Sequence, residues 1–88
     1  MSGRGGTVRI ANTTKKTAAT KPAKFTAIVV LEDGTMISHL VESGYTDSAA
    51  ALARHGIATD TSLSKGEVIV AEGEFSEIQL SAGAVSIA

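Results

Sequence analysis

The side chains able to move protons near neutral pH in this 88-residue chain are His39 and His55, set among nine acids, and the chain contains no cysteine. Acid–base or nucleophilic catalysis needs a nucleophile, a base and an orienting group that converge. His39 falls inside an apolar, β-branched run, where a hydrogen-bonded core or interface histidine is the expected role. His55 falls at the end of a short alanine-rich segment, where a helix dipole favours positive charge. Two histidines without a thiolate do not make a zinc site. Glu67, Glu72, Glu74 and Glu77 form an acidic run that could attract a hard cation. No loop spaces its oxygens as a calcium site requires, and charge guarding a strand edge explains the run better. The chain therefore reads as non-enzymatic, with no catalytic residue, metal or cofactor.

Its second chemistry is charge. A net charge of −1 conceals a division: residues 1–24 hold Arg4, Arg9, Lys15, Lys16, Lys21 and Lys24 with no acid, whereas residues 25–88 hold all nine acids against Arg54 and Lys65. Residues 1–24 are rich in Gly, Thr, Ala and Lys, with Val8 and Ile10 as their large apolar residues beyond Met1. Such a stretch buries too little to offset its ordering entropy, so a flexible or extended basic arm is expected, with Val8-Arg9-Ile10 able to add to a partner's sheet edge. Gly3-Arg4-Gly5-Gly6 resembles an RGG element, MSGRG resembles the opening of core histone tails, and ATKPAK resembles linker-histone tails in composition. Three readings of the arm follow: docking on an acidic protein surface, neutralising nucleic-acid phosphates, or solubilising the body. Protein docking is favoured.

The elements that would position these groups begin with FTAIVVLEDGTMISHLVE, residues 25–42. Asp33-Gly34 between two β-branched runs predicts a two-residue hairpin with Leu31 opposite Met36 and Val30 opposite Ile37. One face then carries Phe25, Ala27, Val29, Leu31, Met36 and Leu40, and the other Ile28, Val30, Ile37, His39 and Val41. Both are apolar, so one is expected to meet another subunit, with the second set as the candidate contact. Thr46 or Asp47 caps a predicted helix running to about His55 and stopped by Gly56, its stripe Ala49, Leu52, Ala53 and Gly56. GEVIVAEGEFSEIQL reads as two strands around Glu72-Gly73 or as one long strand with a glycine bulge, and Val85 and Ile87 suit a last edge strand.

These elements make a small α+β domain over residues 25–88, a mostly antiparallel β-β-α-β-β sheet with a possible C-terminal strand and one short helix, preceded by the basic arm 1–24. Neither a signal peptide nor a transmembrane segment is indicated. A body this small has little stability to spare, which favours an assembly component. Residues 66–88, with EVIVAEGEFSEIQL and the ending AGAVSIA, resemble the close of lambda-type phage head decoration (cement) proteins. That likeness implies a capsid-binding accessory protein found in the virion or, before assembly, the cytoplasm. The expected function is a structural protein of a virion or other large protein assembly that also self-associates and has no membrane or small-molecule partner. The rivals are a nucleic-acid-associated accessory protein using the arm and a small acidic inhibitor of a basic target.

Overall fold

The computed structural model describes residues 8–17 and 24–88, which form one five-stranded antiparallel sheet with one short helix, the α+β class expected. The strands are β1 (Val8–Ile10), β2 (Phe25–Val30), β3 (Met36–Glu42), β4 (Val68–Ala82) and β5 (Val85–Ile87), and α1 spans Ser48–Arg54. Their order across the sheet is β1-β5-β2-β4-β3.

That order corrects the hairpin. β2 and β3 do not pair, because β4 lies between them. The bonds a two-residue hairpin would have formed at Val30 go elsewhere: its N–H donates to Glu67 O at 2.8 Å and its carbonyl accepts from Gly66 N at 2.8 Å. Residues 31–35 instead link the segment before β4, at Leu63, to the turn after it, at Ala84. Leu31 N donates to Ala84 O, Gly34 N to Leu63 O, and Leu63 N to Thr35 O. The buried Thr35 hydroxyl donates to the Glu32 carbonyl and accepts from Ala84 N. Gly83 is forced by this contact: its φ is +84°, and a β-carbon there would lie 2.5 Å from Thr35 Cα.

β4 runs unbroken for 15 residues, the second of the two expected arrangements. Straight, it would measure about 50 Å. The molecule extends 35 Å along its longest axis, and register irregularities against both neighbours bend the strand. Its first half pairs with β2, its second half with β3, and both Phe25 and Glu42 stand opposite Phe75 at the change-over. The irregularities there explain the two apolar faces. Phe25 and Ile28 have opposite parity in an ideal strand, yet both are buried, because the register shifts between Phe25 and Ala27. Ile37 and Leu40 are reconciled in the same way by the shift between Ile37 and His39. Ile28, Val30 and Ile37, three of the five candidate subunit contacts, therefore lie in the chain's own core, while His39 and Val41 remain half-buried.

Residues 8–17 wrap the sheet. β1 adds to the outer edge of β5 through Val8↔Ile87 and Ile10↔Val85, so this strand pairs within its own chain and not, as expected, with a partner. Lys16 then exchanges two backbone bonds with Ile78 of β4, at 2.8 and 3.1 Å, and Gln79 Nε2 donates to the Thr13 carbonyl. α1 begins and ends where the sequence indicates. The Asp47 carboxylate accepts from Ala50 N at 2.7 Å, and Gly56 closes the helix with φ +77°. Its buried face, however, is Ala51 and Leu52, and Ala49 and Ala53 are exposed. The expected stripe was out of phase because two polar residues, Ser48 and His55, also turn inward and find partners there.

Candidate interaction surfaces and buried polar clusters

The C-terminal end of α1 is tied to β3 and β4 through Glu42. Leu40 and Glu42 share a parity at the end of β3, so the carboxylate enters the interior, where its side chain is fully buried. Its oxygens are satisfied. Oε1 faces His55 Nε2 at 2.8 Å, and Oε2 accepts from Glu72 N at 3.1 Å. Arg54 Nη1 lies 3.1 Å from His55 Nδ1, and a guanidinium only donates, so Nδ1 accepts and the Nε2 proton points at Glu42. The imidazole packs on Phe75 with centroids 5.6 Å apart. Arg54 Nε donates to Glu72 Oε1 at 3.2 Å, and that oxygen also accepts from the Tyr45 hydroxyl. The hydrogen bond from Arg54, followed by its charge and the bond from Tyr45, holds the Glu72 carboxyl below the usual carboxylate range. The same bond raises Arg54 further.

His55, expected at the helix end for its positive charge, is instead a tether between helix and sheet. His39 Nε2 meets Glu77 Oε1 at 3.0 Å across the β3–β4 pair. The two acid–base candidates are engaged with carboxylates on opposite sides of β3, and the structure does not bring them together. Glu67 accepts from Ser64 N at 2.5 Å, closing the turn before β4, while Glu74 faces Lys24 at 3.7 Å. Among the described residues no cluster of three or more His, Asp or Glu is arranged to hold a metal ion.

The cations of the N-terminal stretch divide. Arg4 and Lys21 lie outside the described residues. Arg9 faces Glu32 at 3.7 Å, and Lys15 is exposed. Lys16 is buried, its ammonium 4.9 Å from the centroid of the Phe25 ring and 3.5 Å from the Ser76 carbonyl. Burial pushes this lysine below its usual range, with Glu77 opposing the shift. Residues 8–16 enclose a hollow with Val8 and Ile10 in its wall and Arg9, Asn12, Thr14, Lys15 and Lys16 around it.

A second surface lies on β4. Val68 and Val70 are each 57% exposed, while Ile69 between them is buried. Glu72 and Glu74 continue the exposed positions along the same strand. Val68 pairs with the half-buried Val29 and Val70 with the half-buried Ala27, which widens the apolar patch. Sequence reasoning missed this patch because alternation along a strand does not tell which of its two faces the rest of the chain covers. Among the described residues no helix is long and apolar enough to cross a membrane. No family model, curated protein or solved structure matches the chain.

Proposed function

We propose that this chain is a non-enzymatic structural protein of a large protein assembly, a virion accessory or decoration component, that docks through its basic N-terminal stretch and the outer face of its sheet. The observation that carries this reading is the Val68–Val70 pair beside Ala27 and Val29, the exposed large hydrophobic side chains among the described residues. The histidines support it, since both are committed to intramolecular carboxylates and His55 exposes only 7% of its side chain. A nucleic-acid role for the stretch is less well supported, because Lys16, one of its cations, is buried against Phe25. Gradient sedimentation of gently lysed source material, followed by mass spectrometry, tests the proposal. The chain is expected in a large-particle fraction at a fixed ratio to that particle's main protein. Recovery only as a free small protein, or only with RNA or DNA in fractions that dissolve at moderate salt, would overturn it.

A further inference from the structure

The hollow around β1 and the exposed stripe on β4 are complementary in both polarity and charge. The hollow offers the half-buried Val8, over the buried Ile10 in its wall, with the exposed cations Arg9 and Lys15 beside it. The stripe offers Val68 and Val70 with Glu72 and Glu74 beyond them. Within one chain the two cannot meet directly, because β5 and β2 stand between β1 and the first half of β4. Three strand spacings separate them, about 14 Å along the sheet.

We propose that the occupant of the hollow is the Val68–Glu74 stripe of a second copy, in a head-to-tail contact. This rests on the assembly reading and deepens it by naming one partner and both surfaces. Apolar side chains supply the desolvated centre, and the lysine and arginine meet the carboxylates at the rim. The ion pairs already made by Arg9 and Glu74 are exposed and 3.7 Å long, so solvent competes with them and they can exchange for pairs across the contact. A contact between two different surfaces is heterologous: a pair of copies keeps a free hollow on one copy and a free stripe on the other, so further copies add in a ring or a row.

That asymmetry gives the test. Arg9→Glu with Lys15→Glu disables the hollow and leaves the stripe, whereas Val68→Ser with Val70→Ser disables the stripe and leaves the hollow. In sedimentation velocity at micromolar concentration and low salt, the parent chain should show mass that grows with concentration, and each double variant alone should be a monomer. Mixed in equal amounts, the two should form a dimer and nothing larger. Lys15→Glu alone, at an exposed site, should weaken association about tenfold even if the double change at the hollow unfolds the chain. A monomeric parent, a double variant that associates as the parent does, or a mixture of folded variants that stays monomeric would overturn the contact. A parent that is monomeric yet sediments with the large particle would remove this contact and leave the assembly reading standing.

Discussion

Glu42 shows what a single residue does in this fold. A carboxylate in the interior is costly unless its oxygens are matched, and here His55 and the Glu72 backbone match them. Changing Glu42→Ala leaves two donors facing a void, and a loss of about 3 kcal/mol is expected in urea unfolding. Glu72→Gln, at an exposed position, should cost much less. Lys16 behaves in the opposite sense. Its folded-state proton affinity is lowered by burial, so the unfolded chain holds the proton more tightly, and stability rises with pH through the folded-state value toward the ordinary 10.5. Lys16→Met keeps the stem's packing against Phe25 and removes the charge. It should melt at a higher temperature than the parent at pH 7, with the difference shrinking as pH approaches 10.5. Neither role was legible in the sequence. Glu42 looked like the polar end of a strand and Lys16 like one cation of six, and only non-local pairing to β4 turns both inward.

At the scale of elements, signals that act within a few residues were readable and those that depend on distant strands were not. Asp47 and Gly56 bounded α1 because a cap and a positive φ are local requirements. Asp33-Gly34 marked a change of direction, and Gly34 does take φ +80°, but no local signal could show that the turn leading into β4 would claim the backbone of Val30. The phase of each strand was lost for a related reason, since bulges are set by the partner and not by the strand itself. The N-terminal stretch follows the same rule: its composition indicated an extended chain, yet residues 8–17 cover the open edges of β5 and of β4 at Ile78. Deleting residues 1–17 should raise hydrogen exchange at the newly exposed amides of Val85–Ile87 and Ile78 and promote aggregation through those edges. Unchanged exchange at both places would mean that the stretch contributes no protection.

Over the described residues the molecule is a small sheet closed around one apolar interior, with both histidines and the buried Glu42 held by internal partners and an apolar patch turned outward. Both the patch and the basic stretch flank the same sheet, which is why the proposed role is docking and not catalysis. The most direct test is hydroxyl-radical footprinting of the chain bound in its native particle, compared with the free chain. Protection is predicted at Val68 and Val70 and across residues 8–17. No protection at these residues, or protection confined to α1 and the turn before it, would contradict docking through the stretch and the sheet.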